Sequence, residues 1–243
     1  MWQFFLPVYH YLTNLHNCAI IQPTILIAEI NMSDLITIAV PKGRLLYKIA
    51  DFLAERGITL KEESRKLDYI DEAAGIRFLF VKNADVPVYV NYGVADLGIC
   101  GSDIIYESDF DFLKLHTFPF GTTRICLAGY ADKSHLYYQN ADSKNFVEEI
   151  RIATKFVKFT KNCFLQKNIP IEIIKLTGSI ELAPILGLSD FIVDLVETGT
   201  TLAENNLSVI EELGRTEVRL IANPALYKLN YKKMDELLER IKK

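Results

Sequence analysis

Asp194, Glu197, Thr198, Gly199, Thr200 and Thr201 lie within eight consecutive positions and have the types needed to hold a sugar phosphate. They close a hydrophobic run, Phe191-Ile-Val-Asp-Leu-Val, whose composition predicts a buried strand. A short helix is expected over 201–205. Backbone N–H groups in a strand-to-helix loop, with a helix N-terminus behind them, form a nest for an anion. Gly199 lets the backbone close on a phosphate, and the three threonines add hydroxyl donors. Asp194 and Glu197 would repel a phosphate, so they must serve something else. Sugar hydroxyls are the natural partner, because a carboxylate accepts two such bonds well. The pattern describes a ribose 5-phosphate site. Taken alone, the same loop reads equally as a polar turn with a capped helix.

Cations and small residues elsewhere fit the same chemistry. Lys42 and Arg44 flank Gly43 in a turn between a strand over 35–40 and a helix carrying Leu45, Leu46, Ile49, Phe52 and Leu53 at helical spacing. A cation at a helix N-terminus is unfavourable unless an anion sits there. Arg65 lies in a charged stretch with Lys61, Glu62, Glu63 and Lys66. The segment from Asp96 to Asp103 reads as strand, turn and helix start. Its Gly98 and Gly101 would admit a ligand close to the backbone, or serve packing alone. Lys155 and the turn Thr177-Gly178-Ser179 follow two further strands. Phe156, Phe159 and Phe164 read as the core face of a helix over 156–167 rather than as a surface for stacking a base.

The elements that must position these residues alternate in type. Strands are expected over 35–40, 76–82, 96–100, 113–118, 124–128, 151–153, 171–176, 191–196 and 217–222. Asp85 is placed to N-cap a helix after 85, and a closing amphipathic helix runs over 234–242. Such alternation predicts an α/β fold with mostly parallel sheets covered by helices. Two series imply two lobes and a cleft: 32–125 with about 220–243 in the first, about 126–219 in the second. The polar stretch 132–144 reads as a surface excursion.

Composition sets the outer limits. Half of the 243 residues are hydrophobic and 24% are charged, which excludes a disordered chain. The net charge of −4 argues against a nucleic-acid binder, which would carry a basic excess. The four cysteines and four histidines are scattered, with no C-x-x-C pair. Neither a zinc site nor a disulfide framework is expected, and the cysteines read as reduced and mostly buried. Residues 1–31 differ from the rest. They contain no Lys or Arg and many aromatics, lack the basic start of a secretory signal, and are too interrupted to span a membrane. Met32 is the expected natural start, with 1–31 as a non-native or disordered extension.

From Glu181 the order of residues is Glu181-x5-Gly187-x-Ser189-x2-Ile192-x-Asp194-Leu195-x2-Thr198-Gly199-x-Thr201-Leu202. This resembles the signature of the ATP phosphoribosyltransferase family, and every specified position fits. The likeness extends to Ile38-Ala-Val-Pro-Lys-Gly-Arg-Leu45, Ser64-Arg-Lys-Leu67, Gly93-Val-Ala-Asp-Leu-Gly-Ile-Cys-Gly-Ser-Asp103 and Arg151-Ile-Ala-Thr-Lys155. It covers about 35–243 and is similar to the short form of the family, since nothing after Lys243 could form the long form's regulatory domain.

The resemblance implies a periplasmic-binding-protein-like (type II) fold closing over its cleft. It implies attack by N1 of ATP on C1 of phosphoribosyl pyrophosphate, with pyrophosphate leaving, as the first step of histidine biosynthesis. Arg44 and Arg65, supported by Lys42, would hold the pyrophosphate. Asp194 and Glu197 would take the ribose hydroxyls, and Thr198, Gly199, Thr200 and Thr201 the 5-phosphate. Asp96, Leu97, Gly98, Gly101 and Asp103 would form an ATP wall, with Lys155, Gly178 and Ser179 as further lining. Mg2+ would arrive on the diphosphate. The implied partners are a second catalytic chain in a homodimer and a histidyl-tRNA synthetase-like regulatory subunit in a hetero-octamer, in the cytoplasm. Two other readings compete: a non-catalytic solute-binding protein for a small anion, and a phosphoribosyltransferase acting on another base.

Overall fold

The β-branched runs become the spines of two sheets. The computed structural model describes residues 35–63, 65–142 and 149–243. The expectations about 1–31, Met32 and Cys18 lie outside those residues, as do Ser64 and positions 143–144. The first series comprises β1 (Ile36–Pro41), α1 (Arg44–Ala54), β2 (Asp68–Asp71), β3 (Ile76–Val81), α2 (Val86–Asn91), β4 (Leu97–Gly101), α3 (Ser102–Glu107) and β5 (Leu113–Thr117). The second comprises β6 (Thr123–Gly129), α4 (Ser134–Asp142), β7 (Ile150–Thr154), α5 (Val157–Gln166), β8 (Ile171–Lys175), α6 (Leu182–Ile185), β9 (Phe191–Val196), α7 (Thr200–Glu204) and β10 (Ser208–Thr216). The chain then returns through β11 (Val218–Ala222), α8 (Pro224–Leu229) and α9 (Tyr231–Lys242).

The first sheet has the order β2-β3-β1-β4-β11-β5 and the second β10-β6-β9-β7-β8. Both are buried on two faces. In β1, Ile38 and Val40 face a core with Leu46, Ile49, Phe78 and Phe118, while Ala39 faces Val86, Val90 and Ile221. In β9, Phe191 and Val193 pack with Ile152 and Phe164, and Ile192 and Val196 with Ala153 and Leu202. This two-residue alternation is why each strand reads as a nearly continuous apolar run. Phe156 and Phe164 are core, as their spacing predicts.

The sheets are mixed rather than mostly parallel. β1 pairs in parallel with β3 and β4, and β7 with β8 and β9. The chain crosses from the first sheet to the second between β5 and β6 and returns between β10 and β11. An outgoing strand and a returning strand must run antiparallel, as β6–β10 and β5–β11 do. Two strands escape the sequence pattern. β2 is a four-residue edge strand carrying Asp68 and Asp71. β10 has register shifts between Val209 and Glu211 and between Glu212 and Gly214, which erase its two-residue period. Asp85 sits at the N-cap of α2 but makes no side-chain cap bond. The polar excursion contains helix α4, which buries Tyr137 against the second core. Burial and a hydrogen bond to Glu211 push the Tyr137 phenol up to about 12.

Contacts between α3 and α5 join the series at a second place. The Glu107 carboxylate accepts from the N–H groups of Lys158 and Phe159, at 3.0 and 2.8 Å, so it caps α5 from 51 and 52 residues away. Around the return crossing, Ser102 N–H donates to the Glu217 carbonyl at 2.7 Å and Thr216 Oγ1 donates to Asp103 Oδ1 at 2.6 Å.

At the start of β9, Asp190 accepts from the backbone N–H, Nε and Nη2 of Arg151, at 3.0, 3.3 and 3.1 Å. Burial raises the Asp190 carboxyl, but these bonds and the Arg151 charge outweigh it and hold the group below its ordinary value. The folded chain therefore binds this proton less readily than the unfolded chain. The resulting stability is full above the unfolded value of about 4 and is lost as pH falls through the folded one. Arg151→Met is expected to cost about 1 kcal/mol at pH 7. The gap in melting temperature from the parent chain should shrink below about pH 4, which thermal melts across pH would read.

Candidate active site

The C-terminal ends of parallel strands from both sheets open onto one cleft. Lys42 and Gly43 follow β1; Gly43 has φ 93°, a conformation that only glycine adopts without strain, and it turns the chain into α1. Arg44 is the first residue of that helix, and its side chain is 94% exposed. Across the cleft, β9 ends at Val196 and Glu197 follows. Arg44 Nη1 stands 3.5 Å from Glu197 Oε2, and Lys48 Nζ, one helical turn further on, stands 3.8 Å from Oε1.

The threonine loop is built as the residue types require. Gly199 has φ 81° and N-caps α7, so the loop reverses within one residue. Thr198 Oγ1 and Thr200 Oγ1 are 2.9 Å apart, and both residues are exposed. A cavity of about 200 Å³ is lined by the entire stretch from Asp194 to Leu202, with Arg44, Glu181, Cys126, Ala128 and Ile192. Asp194 is half-buried. Its Oδ1 accepts from Leu195 N–H at 2.8 Å and faces Lys155 Nζ at 3.1 Å. Thr154 Oγ1 donates to the Val193 carbonyl at 2.7 Å, which pins the strand ends that carry Lys155 and Asp194.

A second cavity of about 220 Å³ lies at the crossing strands. It is lined by Arg44, Lys48, Asn83, Gly101, Asp103, Thr123, Glu197 and Thr216, among others. Arg44 and Glu197 belong to both cavities. A larger cavity of about 700 Å³ is lined chiefly by α3, α5 and the 109–112 loop and shares only Asp103 with these two. The cleft residues converge instead on the smaller pair, where charge and hydroxyl donors meet.

The structure thus brings together Arg44, Asp194, Glu197, Thr198, Gly199, Thr200, Thr201, Gly101 and Asp103, with Lys155 against Asp194. Other expected residues fall elsewhere. Lys42 and Arg65 are exposed and line neither cavity; Arg65 has φ 68° in the segment between α1 and β2. Gly178 and Ser179 are exposed after β8, outside both cavities.

The amino end of the expected ATP wall lies away from the two cavities. Asp96 accepts from Thr37 N–H at 2.9 Å, at the strand ends opposite the cleft. Leu97 is 1% exposed in the first core. Gly98 is small because a Cβ there would stand 2.6 and 2.7 Å from Val90 and Val86. Asp96 holds a strand end while Leu97 and Gly98 pack at the start of β4, and Gly101 closes that strand at its cleft end. At Gly101 a Cβ would meet the Asp103 carboxylate at 2.1 Å, so that glycine makes room for an acid on the cavity wall.

Sequence reasoning missed Lys48, Asn83, Thr123 and Thr216. Only Lys48 carried a signal, since it lies four residues after Arg44 and so on the same helix face. The other three are gathered from different elements by the crossing strands. Among the described residues no group of three or more His, Cys, Asp and Glu could hold a metal ion. Asp194 faces Lys155, and Glu197 faces Arg44 and Lys48.

The fold and site define a two-lobed α/β protein whose cleft carries a glycine–threonine loop with carboxylates before it. A family model described as ATP phosphoribosyltransferase matches residues 82–243. An ATP phosphoribosyltransferase of Brachyspira hyodysenteriae is 44% identical over 211 residues, covering 85% of this chain and 96% of that protein. One from Aquifex aeolicus is 43% identical, covering 85% and 94%. The solved ATP phosphoribosyl transferase (HisG:HisZ) complex from Thermotoga maritima contains a chain 35% identical, with a TM-score of 0.70, covering 86% of this chain and 97% of that one. A structure titled as Tv2483 bound to L-arginine, 16% identical with a TM-score of 0.52, shares the fold alone. The chain belongs to the ATP phosphoribosyltransferase family.

Proposed function

We propose that this cleft transfers the phosphoribosyl group of phosphoribosyl pyrophosphate to N1 of ATP, giving phosphoribosyl-ATP and pyrophosphate. The observation that carries this reading is the meeting of Arg44, from the start of α1, with Glu197 and the threonine loop from the end of β9. One side supplies a cation for a diphosphate. The other supplies hydroxyl and N–H donors for a 5-phosphate and carboxylates for the ribose between them.

Adenine N1 carries no proton, so its lone pair attacks C1 without a general base. The C1–O bond breaks as the N1–C1 bond forms, and the electron pair leaves with pyrophosphate. Positioning and charge stabilisation then do the catalysis. Arg44 meets the diphosphate as a planar, permanently charged fork. Arg65 and Lys42 serve the same group in this reading. Asp194 and Glu197 orient the ribose, and Gly101 and Asp103 border the base. A Mg2+ carried by the diphosphate would neutralise part of its charge.

As in the family's short form, the chain works as a homodimer in a hetero-octamer with a histidyl-tRNA synthetase-like regulatory subunit. It carries out the first step of histidine biosynthesis in the cytoplasm; among the described residues no helix is long and apolar enough to cross a membrane. The test is an absorbance assay for phosphoribosyl-ATP with the full chain, ATP, phosphoribosyl pyrophosphate and Mg2+, with and without the regulatory subunit. Product is expected, and Asp194→Ala should lower kcat/KM by about a hundredfold. No product under either condition, with tight binding of another small anion, would replace this reading with a solute-binding one.

A further inference from the structure

Glu197 faces a different cation with each carboxylate oxygen: Arg44 with Oε2 and Lys48 with Oε1. We propose that Lys48 is a second binding cation for the leaving diphosphate, and that Glu197 occupies the Arg44–Lys48 pair until ribose hydroxyls draw its carboxylate away. The proposal rests on phosphoribosyl transfer in this cleft.

The geometry supports an exchangeable contact rather than a structural bridge. The separations of 3.5 and 3.8 Å are long for charge-assisted hydrogen bonds, which close to about 2.8 Å. Glu197 is exposed, as is Arg44, and Lys48 is half-exposed, so solvent screens the pairing and it is easily replaced. A diphosphate brings more charge and more acceptor oxygens than one carboxylate, so it outcompetes Glu197 for both cations. Arg44 and Lys48 stand one turn apart on α1, a spacing that aims two long side chains at one point. Both line the 220 Å³ cavity. Its other acid, Asp103, already accepts from Thr216 Oγ1, which leaves Arg44 and Lys48 as the cations on the cavity wall. The ordinary alternative is a lysine on a solvated helix face whose pairing with Glu197 has no bearing on substrate.

Calorimetry on the full chain separates the two. The probes are inorganic pyrophosphate and phosphoribosyl pyrophosphate, each with Mg2+, and ATP as the control. Lys48→Ala is expected to weaken both diphosphate ligands about tenfold, and Lys48→Glu about a hundredfold. Lys48→Arg should restore binding, ATP affinity should stay within about twofold, and melting temperatures should not move because the side chain is outside the core. Glu197→Gln should tighten pyrophosphate binding, since the internal competitor is gone, and weaken phosphoribosyl pyrophosphate, since the ribose contact is gone. If the parent chain binds both ligands and Lys48→Ala binds them equally well, Lys48 has no such role and the phosphoribosyl reading stands. If the parent chain binds neither, the phosphoribosyl reading fails and this proposal with it.

Discussion

Arg44→Ala is expected to lower kcat/KM for phosphoribosyl-ATP formation about a thousandfold and to leave the melting temperature unchanged. The activity loss, about 4 kcal/mol, is the size seen when one preorganised charge donor is removed from a developing anion. Negative charge grows on the diphosphate only as its bond to C1 breaks. A cation aimed there therefore stabilises the transition state more than the bound substrate, and kcat should fall together with kcat/KM. Stability should hold because the side chain is 94% exposed and its partner among the described residues, Glu197, is an exposed carboxylate. Arg44→Lys should recover part of the rate but not all of it, since an ammonium cannot bind two oxygens as a planar fork does. Steady-state kinetics beside thermal melts would check this. A variant with parental kcat would remove Arg44 from the chemistry.

Gly98→Val is expected to destabilise the chain by about 3 kcal/mol, the upper end of ordinary overpacking. Even a methyl group would meet Val90 Cγ2 at 2.6 Å and Val86 Cγ1 at 2.7 Å. Both valines are fully buried and stiff at χ1, so neither side chain can swing aside. The larger residue has to push α2 off the sheet. Gly98→Ala should show the same effect in weaker form while leaving KM for ATP unchanged. That pair of readouts separates the packing role from a role in the ATP wall: a higher KM with an unchanged melt would return Gly98 to the site. Denaturant unfolding measures the stability change.

Local patterning made much of the fold legible. The apolar runs that became β1, β3, β4, β7 and β9 are buried on both faces, and a strand of that kind carries its own signature. α1 and α9 have clear helical spacing. β2 and β10 were illegible because an acidic four-residue edge and a bulged ribbon lack a clean two-residue period. The mixed direction of the sheets was also hidden. It follows from the path of the crossing strands, which no single segment records.

The site divides in the same way. The threonine loop, Asp194, Glu197 and Arg44 could be read directly, because each depends on residue types close together in the chain. The segment 96–103 could not be divided by inspection. Its glycines permit either a ligand or a neighbouring helix, and only the position of α2 shows that Gly98 belongs to packing while Gly101 belongs to the cavity wall. Lys48, Asn83, Thr123 and Thr216 meet through contacts between residues distant in sequence, as does the capping of α5 by Glu107. By itself the sequence determined the family, the two α/β series and the glycine turn after β9, since those rest on local spacing and backbone conformation. The tertiary structure alone decided which residues share the cleft and which carboxylate faces which cation, because those relations arise when two sheets are joined by strands that cross and return.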